Sequence, residues 1–243
     1  MNIHLTKHLM NHLRICTLTL IVLLATTLAH SQTTNDFGIW TSFGLEKKLG
    51  KWDLGTEFEL RTMDNTSKIN RLSLQLEASY AIWKPLKVGL SYQFIDFNDT
   101  KYSDFQPRHR FNLFATGSQK LGNFNFSLRE RLQLTTKDES DRIKSSGAID
   151  TYKINPAWIW RNRLKVSYNI SHCKITPYGS FETFYQLNNP DGNVFEDFRY
   201  TIGLNYTMKK KHKFDFYYLI DNEINVKDPV RRFVVGVGYT YSF

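Results

Sequence analysis

The sequence predicts an all-β fold: an antiparallel, transmembrane up-and-down β-barrel of about twelve strands, with ten as the alternative. Three observations point there. From residue 37 onward, segments of about ten to thirteen residues alternate apolar and polar with period two, the mark of strands with two different faces. The polar faces carry arginine and glutamate rather than the serine, threonine and lysine of a merely solvated sheet. The connections alternate short and long along the chain, as in barrels with short periplasmic turns and long outer loops.

Composition narrows the choice from another side. The 243 residues are 41% hydrophobic and 15% aromatic, with two cysteines and six prolines, which excludes a disordered chain and a disulfide scaffold. A mean hydropathy of −0.42 excludes a polytopic helical membrane protein. The sequence pI of 9.4 is not a nucleic-acid signal, because no basic-aromatic motif accompanies it.

The first element, residues 1–31, reads as a cleaved signal peptide. Lys7 and Arg14 precede the apolar run 15–28, and Ala29-His30-Ser31 offers the small residues a signal peptidase reads. The run is too short for a permanent helical anchor. Cys16 lies inside it rather than at its end, which argues against a lipoprotein. Cleavage removes two bases and no acid, taking the formal net charge from +9 to +7, and leaves Cys173 as the remaining cysteine.

Residues 32–243 form the expected outer-membrane barrel domain. Eleven segments can be read in it: 37–46, 52–62, 71–83, 86–95, 107–118, 124–136, 157–170, 175–187, 197–208, 213–220 and 231–243. Segment 37–46 alternates poorly. Segment 52–62 puts Trp52, Leu54, Phe58 and Leu60 against Asp53, Glu57, Glu59 and Arg61. Segment 71–83 sets Leu72, Leu74, Leu76 and Tyr80 against Arg71, Ser73, Gln75 and Glu77. Segment 124–136 opposes Phe124, Phe126, Leu128, Leu132 and Leu134 to Asn125, Ser127, Arg129, Arg131 and Gln133. Segment 197–208 gives Phe198, Tyr200, Ile202 and Leu204 against Arg199, Thr201 and Gly203, and the last segment sets Phe233, Val235, Val237, Tyr239 and Tyr241 against Val234, Gly236, Gly238 and Thr240. These lengths suit tilted membrane-crossing strands better than the strands of a soluble sandwich. Bacterial single-chain barrels have even strand numbers, so either segment 37–46 fails to span, giving ten, or one strand is hidden, giving twelve.

The stretches DFGIWTSFGLEKKLGKWDLGTEFELR, RHRFNLFATGSQKLGNFNFSLRERLQL, PYGSFETFY and GVGYTYSF resemble the DUF2490 family, outer-membrane barrels seen mostly in Bacteroidota. The similarity covers nearly all of residues 32–243. It implies an outer-membrane barrel and supplies no reaction. Tyr239, Tyr241 and the terminal Phe243 also resemble the C-terminal signal that barrel-assembly machinery recognises.

The inward positions are the candidate site. The lumen-lining candidates are Glu57, Glu59, Arg61, Arg71, Glu77, Arg110, Arg129, Arg131, Arg161, Arg163, Glu182 and Arg199. Bases concentrate on the fifth to seventh segments, while Glu57, Glu59 and Glu77 lie on the second and third. Such a distribution makes either a narrow anion-preferring channel or a network of arginine–carboxylate pairs that fills the interior. At ten to twelve strands with this many long side chains, a structural or surface-interaction barrel with a charge-filled interior is the expected role, and the small-solute channel is the alternative. The short turns are lysine-rich and suit anionic headgroups; the long loops are acid-rich. Outer-membrane lipids and lipopolysaccharide are the expected surroundings.

Glu130 falls on the outward, apolar side between Arg129 and Arg131. A carboxylate facing lipid is costly, so a β-bulge turning it inward is expected, with a breach used by a partner or a lipid as the other reading. A lipid-modifying enzyme would need a serine–histidine pair near the outer rim. His172 and His212 fall in short turns, His109 points outward, and Ser103 is a poor nucleophile candidate. No cofactor motif and no metal-ligand spacing appears, and no enzymatic role is expected.

Overall fold

The computed structural model describes residues 33–243, so the signal-peptide reading of 1–31 lies outside the described residues. Eleven strands follow one another: β1 (Thr34–Leu49), β2 (Trp52–Met63), β3 (Lys68–Trp83), β4 (Leu86–Asp99), β5 (Asp104–Leu121), β6 (Phe124–Lys137), β7 (Ala157–Tyr168), β8 (Ile175–Gln186), β9 (Phe195–Met208), β10 (His212–Glu223) and β11 (Val230–Ser242). Each pairs antiparallel with its neighbour in sequence, and β1 pairs with β11 to close the barrel. Closure leaves no sheet edge, so every strand finds partners for its backbone on both sides.

Eleven strands replace the expected twelve or ten. The segment with the poorest alternation, 37–46, does span: it is the centre of β1, which runs parallel to β11 from Thr34↔Val230 to Glu46↔Ser242. In an up-and-down barrel an odd count requires the first and last strands to run the same way. The parity rule therefore gives way to a parallel seam. Behind it, Trp40, Leu219 and Val234 form a small buried cluster with Tyr217 packed against it. Trp40 and Tyr217 both lie opposite Gly236 in register, and a Cβ there would sit 1.9 Å from the Tyr217 ring. Only glycine lets the seam close over these two rings.

The strands run from 12 to 18 residues; most extend past the alternating segments, while β7 and β8 end one or two residues before theirs. Their polar ends stay in register and continue the ladders beyond the apolar zone. The turns after β1, β3 and β5 have two residues each, whereas residues 138–156 separate β6 from β7. The outward faces are apolar at mid-height apart from Glu130 and its ladder neighbour Asn162: Leu76 is 54% exposed, Leu113 63% and Ile202 67%. A continuous apolar exterior of this size needs a covering that water does not supply. Aromatic pairs ring the short-turn end, among them Trp52–Tyr80, Phe124–Tyr168 and Phe214–Tyr239.

Candidate site in the barrel interior

Alternation along each ladder sends the polar set inward, and all twelve lumen-lining candidates border one cavity of about 810 Å³. A second cavity of about 450 Å³ lies toward the short turns, lined by Lys48, Asp53, Lys87, Thr116 and Lys213. Glu46, Glu77 and Arg129 border both.

The division between the two chambers is a side-chain crossbar. Arg129 on β6 reaches past β5 and β4 to donate to Glu77 on β3 at 3.0 Å. Its guanidinium lies 3.8 Å from the centre of the Phe114 ring on β5. Phe114 in turn lies over Gly89 on β4, where a Cβ would come within 2.5 Å of the ring. Four adjacent strands thus contribute to one layer: carboxylate, glycine, aromatic ring, arginine.

On one side of the larger chamber the charges are closely matched. Glu59 accepts from Arg61 at 2.8 Å and Arg71 at 3.0 Å, and Arg61 stacks 3.3 Å from the Trp40 ring centre. Arg199 donates to Asp221 at 2.8 Å, and Arg232 donates to Glu223 at 2.7 Å. Tyr178 donates to Asp215 at 2.9 Å.

The wall formed by β5, β6 and β7 is different. Arg131 stands directly opposite Arg161 in the ladder, and Arg129 directly opposite Arg163. Like charges in directly opposed positions repel. Two of these four arginines meet carboxylates, Arg129 on Glu77 and Arg161 on Glu182 at 2.9 Å. Among the described residues, Arg131 and Arg163 make no hydrogen bond or ion pair, although Arg163 stands opposite Glu182 in the β7–β8 ladder, and Nε of Arg131, like those of Arg71, Arg108 and Arg129, is buried without a partner. Nearby, Arg110 meets only neutral acceptors, Thr135 at 3.2 Å and Gln93 at 3.4 Å.

Asp197, Asp221 and Glu223 belong to the same chamber and were not among the sequence candidates. The signal was available: Asp215, Tyr217 and Leu219 share a face whose period, continued two steps, reaches Asp221 and Glu223. The alternating segment reads as finished at residue 220, which leaves these two residues to the following connection.

The structure corrects the expectation for Glu130. The β5–β6 and β6–β7 ladders pass it without a register shift, so no bulge turns it and the side chain faces outward. There it accepts a hydrogen bond from the Trp160 indole at 2.8 Å. Its ladder neighbour Asn162 donates to Thr183 at 3.4 Å. The indole N–H supplies the partner that would otherwise have required the strand to bend. The outward His109 shares a hydrogen bond of 2.8 Å with Tyr92, and His212 one of 2.9 Å with Tyr239.

At the long-loop rim, residues 138–156 fold back onto the barrel. Arg142, 7% exposed, pairs with Asp99 at the end of β4 and with Asp150 at 3.3 Å, and its guanidinium stacks 3.9 Å from the Tyr152 ring centre. Tyr152 donates to Asp99 at 3.0 Å, and Lys101 bonds Asp150 at 2.5 Å. The Lys101 ammonium and the Tyr102 hydroxyl on its carboxylate hold Asp150 below the ordinary carboxylate range. These loop acids are latched to specific cations rather than left to solvent.

A family profile described as "Protein of unknown function (DUF2490)" matches residues 37–232. No curated protein matches the chain. Among solved structures, a bacterial polysaccharide outer membrane secretin is similar at 12% identity and TM-score 0.49, over 77% of this chain and 63% of that one, so the chain spans less than two thirds of the secretin's length. The NanC porin is similar at 12% identity and TM-score 0.47, over 76% of this chain and 85% of that one. The beta domain of the Bordetella autotransporter Brka gives 12% identity and TM-score 0.44, over 72% and 79% respectively.

Proposed function

We propose that this chain, which belongs to the DUF2490 family, is an outer-membrane β-barrel whose interior is held shut by its own charges. It is a structural or surface-interaction barrel rather than a constitutively open channel. The carrying observation is the Arg129–Glu77 crossbar between the two chambers. An ion crossing the lumen would have to displace a charge-assisted bond seated on an aromatic ring. The apolar exterior and the aromatic ring at the short-turn end support placement in a bilayer, with the short turns periplasmic and the long loops outside. Outer-membrane lipids, lipopolysaccharide and, during biogenesis, barrel-assembly machinery are its proposed partners. The reading assigns the barrel no reaction and no cofactor.

Single-channel recording in planar bilayers tests this. The wild-type barrel is expected to stay silent at modest voltage, while the double variant Glu77→Ala, Arg129→Ala should give stable openings. A wild-type barrel that conducts steadily overturns the reading. The narrow anion pathway is the second reading, favoured by the opposed arginines on β6 and β7.

A further inference from the structure

Opposed arginines on neighbouring strands are a poor way to fill an interior. The β5–β7 wall places Arg108, Arg110, Arg129, Arg131, Arg161, Arg163 and Lys165 on the chamber, and these three strands contribute no carboxylate to it. Among the described residues, the carboxylates paired with Arg129 and Arg161 come from β3 and β8, Glu77 and Glu182, and Glu182 also stands opposite Arg163 in the ladder. Glu182 is shared further with Arg199 at 3.9 Å. Of the two opposed pairs, Arg131 and Arg163 are the members without an ion pair among the described residues, one on each strand, and Arg110 beside them meets no carboxylate either.

Neutral groups hold the neighbouring Arg161. Gln133 already accepts from Arg161 at 2.9 Å, which fixes that guanidinium, and Phe184 lies 4.4 Å from it and screens its far face. Arg161, already paired with Glu182, is thereby held in place opposite Arg131. Arg131 and Arg163 both line the larger chamber, whose volume of about 810 Å³ leaves room for a small solute.

We infer that the larger chamber holds an anion of the phosphate or carboxylate class between Arg131 and Arg163. Guanidinium forks match the oxygen spacing of both groups and can bind them bidentately. The anion stands where the missing carboxylate of the wall would be, and it relieves the repulsion of the two opposed pairs. This goes beyond the closed-barrel reading: a chamber closed only at the crossbar can bind a counter-ion whether or not the crossbar ever opens.

Thermal unfolding of the full chain in detergent, at constant ionic strength, tests it with inorganic phosphate and with acetate, each against chloride. Phosphate or acetate should raise the midpoint in a saturable manner. Arg131→Gln with Arg163→Gln should weaken that response at least tenfold while leaving the barrel folded, because it removes repelling charges rather than paired ones. Arg232→Gln on the opposite side should leave the response intact. A response to phosphate alone assigns the site to phosphoryl groups, and one to acetate alone to carboxylates. No saturable response to either, or one that survives in the double variant, overturns the inference. Conductance plays no part in this readout, so its failure is separable from failure of the closed-barrel reading.

Discussion

The two sides of the larger chamber use the same residue types to opposite effect. Along β9, β10 and β11, Arg199 and Arg232 alternate with Asp221 and Glu223, and each guanidinium has a carboxylate partner. Along β6 and β7, Arg129, Arg131, Arg161 and Arg163 face one another, and two of the four have none. The first arrangement is a self-contained structural lattice. Strand register, not composition, decides which arginines are settled and which are available, since the same alternation produced both walls.

The largest break in this contrast should come from Glu182, the carboxylate that ties the two walls together. Glu182→Gln leaves Arg161 without its acid and weakens the hold on Arg199, both deep in the wall. Losing one partner of a buried ion pair costs about 3–5 kcal/mol, so urea unfolding in detergent should show a drop of that order. Gln133→Glu should act in the other direction. It places an acid on the basic wall within reach of Arg161, with an expected gain of about 1–2 kcal/mol in the same measurement. If the anion stands where inferred, this variant also loses its phosphate response.

The smallest effect belongs to the rim. Asp150 is held below its ordinary range by Lys101 and Tyr102, so its contribution is complete above about pH 4 and fades as pH falls through the lowered value. Protease cutting within residues 138–156 should therefore rise on acidification below that point. Asp150→Asn should cut readily at neutral pH as well. A loop equally resistant in both forms would mean that Arg142 is secured by Asp99 alone.

Much of this was legible in the chain. Period-two alternation located all eleven strands and put the twelve candidates on the chamber, because a strand's face is a local property. What alternation cannot supply is pairing over distance. That Arg129 would find Glu77, fifty-two residues away, depends on barrel circumference, and that Arg142 would bury itself against Asp99 depends on how a long loop folds back. Parity failed for a related reason: the partner of β1 is the strand farthest from it in sequence, and only that contact reveals the count. Along its own strand Glu130 reads as a bare carboxylate, because the Trp160 indole that meets it comes from the adjacent strand.

The parallel seam has a consequence for how the wall can fail. A cylinder of staves that all alternate in direction has no preferred joint, but here one ladder, between β1 and β11, is unlike the other ten. Parallel ladders carry slanted bonds and are slightly weaker per residue. If the barrel is ever unzipped from the side, parting starts at that line, with the Trp40 cluster acting as its rivet.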